Sequence, residues 1–457
     1  MATAPAGLAA PTPVRSVDEL LRVFHEAEVP REKWRVGAEA ERFGVDRDTG
    51  APLMYDGERG VLRVLESVAA HGYAEYREVP GGPVIGLTQG LRSVTLEPGA
   101  QLELSGSPFA DVHQIRAEFE AHLAELAHVS EQMNVAWLGV GFHPFARQSE
   151  LPWVPKERYA IMREYLPTRG ARGVDMMRRT ATVQANFDYS DEGDALRKLQ
   201  LCLRLSPLVN ALFANSPFYE GRLSGKVSER GAVWLEMDPS RSGLIAQLAD
   251  AKAPRYLDYA EWALDAGMFF FKRDGAIVHN TGQTFRDFMK SGYQGHQATF
   301  DDWALHVNTL FPDARLKRTL EVRCCDSVPL PLTLAIQALF TGILYDDQAL
   351  TEATELSHGY SLAELTIAQP ELVRVGIHGS IGGRPARALA ERLLDIAASG
   401  LSRRAVPDAA GQSEVQYLAP IVSLTSRGEV PADRLSQGLE GASEAELRRA
   451  VIERAQF

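Results

Sequence analysis

Residues 86–108, GLTQGLRSVTLEPGAQLELSGSP, alternate polar and apolar side chains on both sides of a Pro-Gly break. Side chains two apart on a strand share a face. One parity carries Thr95, Glu97, Gln101 and Glu103; the other carries Leu96, Ala100 and Leu102. Arg92–Leu104 is therefore expected as strand, interrupted at Pro98-Gly99. Three further stretches alternate in the same way. Arg35, Glu39 and Glu41 oppose Val36, Ala38 and Ala40. Thr182, Gln184, Asn186, Asp188 and Ser190 oppose Val183, Ala185, Phe187 and Tyr189. Arg315, Lys317, Thr319, Glu321 and Arg323 oppose Leu316, Leu320 and Val322.

An antiparallel sheet with one face in water produces alternation of this kind. Here, however, the polar residues are glutamates, amides and arginines beside glutamates, not a generic surface mixture. Glycine and proline also break the strands, as bending around a ligand requires. If the four faces line one concave sheet, Glu39, Glu41, Glu97, Glu103 and Glu321 come together. Five clustered carboxylates need cations. Hard oxygen donors without Cys/His metal spacing point to Mg²⁺ or Mn²⁺. Such metals beside Arg and Lys are the equipment for phosphoryl transfer from ATP.

Outward from these strands, Ser16 and Glu19 predict a capped helix to about Glu28. A long amphipathic helix is expected over about Ala110–Gln132, with Ile115, Phe119, Leu123 and Leu126 on one face. Met268–Phe271 and Ala276–His279 flank Asp274-Gly275, a hairpin signal. After Arg323 mostly helices are expected. There is no GxGxxG after a strand, no GxxxxGK[ST] and no regular β-α-β spacing, which disfavours a doubly wound nucleotide fold. The fold class expected is α+β: a curved antiparallel sheet lining a cleft, with helices packed outside. Residues 1–15 are expected as a disordered tail, 16–350 as the catalytic domain and 351–457 as a helical part of that domain. GSIGGRP at 379–385 reads as a flexible loop, a lid or a linker.

The chain has 457 residues, 45% hydrophobic and 24% charged, ordinary globular values that exclude fibrous and disordered classes. Lys and Arg number 48 against 60 Asp and Glu, a net charge of −12. Nucleic-acid and anionic-membrane partners are disfavoured. No apolar run reaches the roughly 18 residues of a membrane span. Three cysteines, Cys202, Cys324 and Cys325, are too few for a disulfide framework. The expectation is a soluble cytoplasmic protein, monomeric or homodimeric.

Six ordered blocks resemble the plant-type glutamate–cysteine ligases, which also occur in bacteria. They are KWRVGAEAERFG at 33–44, the 86–108 stretch, PKERYAIMREYLP at 155–167, DMMRRTATVQANFDYS at 175–190, ALFANSPFYEG at 211–221 and RLKRTLEVR at 315–323. The resemblance spans about Lys33 to Asp346 and implies a glutamine-synthetase-like ligase using ATP and Mg²⁺. Glutamate, cysteine and ATP would be its substrates, γ-glutamyl phosphate its intermediate and γ-glutamylcysteine, the first step toward glutathione, its product. The resemblance implies metal ligands at Glu39, Glu41, Glu97, Glu103 and Glu321, with Gln184 a metal- or phosphate-side residue. Arg323 would touch the transferred phosphoryl group, and Arg230 would grip a substrate carboxylate. Trp234, Arg241, Met177 and Tyr159 are pocket candidates, and Lys317 and Asn186 are placed toward the nucleotide. Where plant-type sequences have Gly-Ala-Asp-Gly-Gly-Pro, this chain has Cys324-Cys325-Asp326-Ser327-Val328-Pro329. Two alternatives stay open: a sister γ-glutamyl ligase with another acceptor or pathway, and a non-catalytic paralogue binding metal or a partner.

Overall fold

The computed structural model describes residues 13–457. The alternating stretches form strands β1 (Val36–Asp46), β2 (Ala74–Arg77), β3 (Val84–Gln89), β4 (Arg92–Leu96), β5 (Leu102–Ser105), β6 (Val135–Leu138), β7 (Thr182–Phe187), β8 (Ala314–Leu316) and β9 (Leu320–Asp326). Among the described residues these nine strands make one sheet. Its order is β8-β9-β7-β1-β5-β4-β3-β2, with β6 paired to the far end of β1. All its pairings are antiparallel.

Register explains why one face is polar. Residues directly opposite in an antiparallel pair project to the same side. Arg315 lies opposite Glu321, Glu321 opposite Asn186, and Asn186 opposite Gly37. The next row runs Gln184, Glu39, Ser105, Ser93 and Thr88. A third runs Glu41, Glu103, Thr95 and Gly86. The other face is apolar and buried, through Ala38, Ala40, Leu102, Leu104, Val183 and Ala185. Helices α1 (Val112–Gln132) and α3 (Leu330–Leu344) pack on that side, and α2 (Glu192–Leu212) covers β8 and β9. Helix α3 is buried on nearly every side, as its almost continuous apolar sequence requires. A continuous core runs from Val14 to Ala432. The 351–457 segment joins it through Leu365, Leu389 and Leu393.

The break at Pro98-Gly99 is a tight hairpin loop. The Glu97 amide donates to the Gln101 carbonyl, and the Ala100 amide to that of Glu97, both at 2.9 Å. Ala100 takes φ of 66°, which a side chain rarely adopts. Gly99 is dictated by close approach, because a Cβ there would lie 2.4 Å from the Arg178 carbonyl oxygen. The loop also overturns one expectation. Gln101 leaves the polar face and braces the turn: its Oε1 accepts from the Gly99 amide, and its Nε2 donates to the Met177 and Thr180 carbonyls.

Other differences are local. The helix expected from Ser16 to Glu28 is two short ones, Val17–Leu20 and Arg22–His25. The tail expected over 1–15 lies outside the described residues as far as residue 12. Pro13 bridges Thr299, and the Val14 amide donates to the Ala298 carbonyl. The 379–385 loop is a small hairpin, Ser380–Ile381 against Arg384–Pro385, turning at Gly382 and Gly383 with positive φ. It lines none of the cavities along the polar face. The Asp274-Gly275 hairpin forms, with strands Phe271–Arg273 and Ala276–Val278, and its Lys272, with Phe270 just before it, walls the cleft over the sheet.

Candidate active site

The polar face floors a cleft of about 1520 Å³. Glu39, Glu41, Glu97, Glu103, Gln184, Lys317 and Arg323 line it together. A second lobe of about 1020 Å³ shares Glu39, Ser93, Ser105 and Lys317 with the cleft and adds Arg35, Asn186 and Asp188. A third pocket, about 580 Å³, meets the cleft at Phe311 and Arg323 and is lined also by Arg230, Trp234, Asp313 and Cys324. The site thus has two lobes and a centre.

The centre divides by charge. On β8 and β9, Glu321 is fully buried and holds three cations. Arg315 donates to its Oε2 from Nε at 2.7 Å, and Arg323 Nη1 lies 2.9 Å from the same oxygen. Lys317 Nζ sits 2.8 Å from Oε1. Burial alone would raise this carboxyl, but Arg315, Lys317 and Arg323 outweigh it and hold it well below the ordinary carboxylate range. Arg323 also donates to Gln184 Oε1 at 2.6 Å.

On β1 and β5 the balance reverses. Burial pushes Glu39, Glu41 and Glu103 up, and neighbouring carboxylates add to it: Glu321 and Glu103 for Glu39, Glu97 and Glu103 for Glu41, and Glu97 for Glu103. Each has only a modest partner. Asn186 Nδ2 donates to Glu39, the Thr182 amide to Glu41 and the Ser105 hydroxyl to Glu103. These are hard oxygen donors whose mutual repulsion no adjacent cation fully relieves, which is the donor chemistry a divalent ion suits.

The expectation that five glutamates converge on common metal positions is corrected in part. All but Glu321 line the cleft, yet among the described residues no group of three or more His, Cys, Asp or Glu side chains is gathered closely enough to hold a metal ion. Glu97 lies beyond the end of β4, and Glu321 is engaged by its three cations.

Two pocket candidates are also corrected. Arg241 is fully buried, pairs with Asp238 at 2.9 Å and donates to the Gly267 and Thr309 carbonyls, so it is structural. Met177 is 2% exposed within the core and lines none of the three cavities. Tyr159 does line the cleft, with its hydroxyl donating to the Leu96 carbonyl. Trp234 lines the third pocket, and its Nε1 has no partner. Arg230 lines it too, 3% exposed, but is partly occupied: Nη1 and Nη2 donate to the Cys324 and Arg323 carbonyls at 3.1 and 2.8 Å, leaving Nε without a partner. Cys324 and Cys325 are buried, free thiols within β9 beside a bulge.

Sequence reasoning missed Lys156, Arg158 and Asp313, and placed Arg315 on the polar face without giving it a role. Burial, with Arg158 adding to it, drives Lys156 down to about 7; its Nζ donates to the Leu96 carbonyl at 2.6 Å. Lys156 and Arg158 open the helix Glu157–Tyr165, where cations oppose the helix dipole unless engaged elsewhere, a signal legible in the sequence.

The family model of glutamate–cysteine ligase family 2 (GCS2) matches residues 35–453. The chain belongs to that family. Among relatives, glutamate–cysteine ligase B, chloroplastic, of Oryza sativa subsp. japonica is 39% identical over 411 residues, 89% of this chain and 80% of that one. The chloroplastic glutamate–cysteine ligase of Brassica juncea is 38% identical over 414 residues, 90% of this chain and 78% of its own. The α+β fold of this family member is like that of a glutamate–cysteine ligase from Francisella tularensis in complex with AMP. Their TM-score is 0.54 at 12% identity, covering 92% of this chain and 88% of that one. The expected cytoplasmic location is overturned by the plant names, which are chloroplastic throughout. A low cysteine count reports a reducing milieu and does not tell one such compartment from another.

Proposed function

We propose that this chain joins the γ-carboxylate of glutamate to the amine of cysteine at the expense of ATP, passing through γ-glutamyl phosphate and giving γ-glutamylcysteine. One observation carries the reading: under-compensated carboxylates on β1 and β5 face three cations gathered on β8, β9 and the turn between them across one cleft. A carboxylate is a poor electrophile toward an amine, so it must first be activated. Phosphoryl transfer needs positioning and charge stabilisation more than a protein nucleophile.

The lobe with Asn186 and Lys317 takes the nucleotide, and the Arg230 pocket takes an amino-acid carboxylate. Glu39, Glu41, Glu97 and Glu103, with Gln184 at their edge, are the residues that would hold Mg²⁺ or Mn²⁺, and their side chains would have to draw together to do so. Held there, the metal would supply positive charge to offset that of the phosphates. Arg323 stands between the lobes, on the floor shared by cleft and pocket. It meets the transferred phosphoryl group there, while Glu321 keeps Arg315, Lys317 and Arg323 aimed beforehand.

The test uses glutamate carrying oxygen-18 in its γ-carboxylate. An acyl-phosphate route moves one labelled oxygen into the released phosphate. Unlabelled phosphate, under conditions where dipeptide forms, refutes the mechanism. An ADP-release screen across acceptor amines distinguishes cysteine from the sister activities.

A further inference from the structure

The third pocket has a polar inventory that no role above uses in full. Its walls are largely apolar, including Trp234, Phe311 and Leu372. Two guanidinium groups reach it. Arg230 is 97% buried by its 3% exposure, and its Nε has no partner. Arg323 likewise has an unpartnered Nε. One carboxylate lines the same pocket, that of Asp313. Its backbone is pinned on both sides: the amide donates to the Gly243 carbonyl at 3.0 Å, and its carbonyl accepts from the Arg323 amide at 2.9 Å. Among the described residues no hydrogen bond or ion pair engages the Asp313 side chain. Burial raises this carboxyl to about 6, against the pull of Arg230 and Arg323.

A half-buried carboxylate opposite two guanidinium groups, between apolar walls, is complementary to a zwitterion and to neither of its halves alone. A dicarboxylate without an ammonium group would leave Asp313 facing it unpaired. An amine without a carboxylate would leave Arg230 unpaired. Both cost affinity through desolvated, uncompensated charge.

Chemistry decides which amino acid is held. The amine of cysteine must lose its proton to attack, and a buried carboxylate would instead stabilise the protonated form. The α-amine of glutamate takes no part in the reaction and stays an ammonium throughout. Resting on the ligase reading above, we infer that Asp313 receives the α-ammonium group of glutamate while Arg230 receives its α-carboxylate. Asp313 is thereby a specificity-determining residue that lets the γ-carboxylate extend past Phe311 toward Arg323.

The test compares L-glutamate with glutarate, which has both carboxylates and no α-ammonium, in wild type and Asp313→Asn. Wild type binds L-glutamate at least ~10-fold more tightly than glutarate by calorimetry, on the scale of a lost buried charge pair. In Asp313→Asn the glutamate affinity falls ~10-fold or more, that for glutarate stays within about 2-fold, and the preference collapses. In turnover the variant raises the KM for glutamate and leaves that for cysteine unchanged. Equal weakening of glutamate and glutarate would mean a merely structural role and overturn the assignment. So would a rise confined to the KM for cysteine, or a wild type that does not prefer glutamate. Wild-type enzyme that binds glutamate selectively but forms no dipeptide with cysteine would refute the ligase reading and leave the Asp313 assignment standing.

Discussion

Replacing Glu321 with Gln separates two readings of one carboxylate. As a bare metal ligand, Glu321 would contribute little to the stability of metal-free protein. The structure instead surrounds it with Arg315, Lys317 and Arg323, all within 2.9 Å, at zero exposure. Gln keeps the shape and one acceptor but removes the charge from beneath three cations. Breaking a buried pair by removing one partner costs about 3–5 kcal/mol, because the charges left behind are uncompensated. The Gln amide still accepts one hydrogen bond, so about 3 kcal/mol is expected. The assay is denaturant unfolding at neutral pH in the presence of EDTA, which excludes any metal contribution. The sign with pH follows from the depressed carboxyl. Its contribution is full above the ordinary value of 4.5 and is lost as pH falls through the lower folded value. The difference between wild type and variant therefore persists from neutral pH to about 4.5 and shrinks only below it. A loss under ~0.5 kcal/mol at neutral pH, the range of a surface substitution, would refute the cation-holding role.

Four further outcomes are expected. Arg323→Ala lowers kcat by ~10²–10³, as the loss of a preorganised donor does, with a smaller change in the KM for glutamate; steady-state kinetics reads both. Glu41→Gln stabilises the protein in EDTA by ~0.5–2 kcal/mol, since a carboxyl raised on folding destabilises above its unfolded value, and Mg²⁺ shrinks that gain in thermal melts. Arg241→Met destabilises by about 3–5 kcal/mol by stranding buried Asp238, while the KM for glutamate of the folded enzyme is unchanged. Buried His143, pushed down to about 3, stays neutral while the unfolded chain protonates below 6.5; stability therefore falls from pH 6.5 downward, by about 2 kcal/mol at pH 5, and His143→Gln removes that share in urea titrations.

The sheet was legible because a two-residue period carries its own geometry. Once β1, β5, β7 and β9 are strands, parity places Glu39, Glu41, Glu103, Gln184, Glu321 and Arg323 on one side, and register does the rest. Parity fails where a strand stops. Gln101 keeps the right period but belongs to a turn, so its amide braces Gly99 instead of facing the cleft. Asp313 shows the converse. It continues the period of Arg315 and Lys317 two residues upstream, across Ala314, but lies outside the alternating stretch that begins at Arg315. Arg241 and Met177 were read from motif neighbourhood, which cannot tell a residue that touches a pocket from one that supports it.

Strand order explains why the charges sort as they do. The cations come from β8, β9 and the turn between them at one edge of the sheet, and the under-compensated carboxylates from β1 and β5, with β7 between them. Strand β7 sets the amides Gln184 and Asn186 in that gap, and between them they touch both camps. Gln184 accepts from Arg323. Asn186 donates to Glu39 and accepts from the Thr319 hydroxyl. A charged residue on β7 would neutralise one camp and collapse the separation. Neutral amides preserve it and hold both sides in register. On the proposed function, an incoming polyphosphate would meet fixed cations on one side and under-compensated carboxylates on the other, with the orientation cost met when the chain folded rather than when the reaction begins.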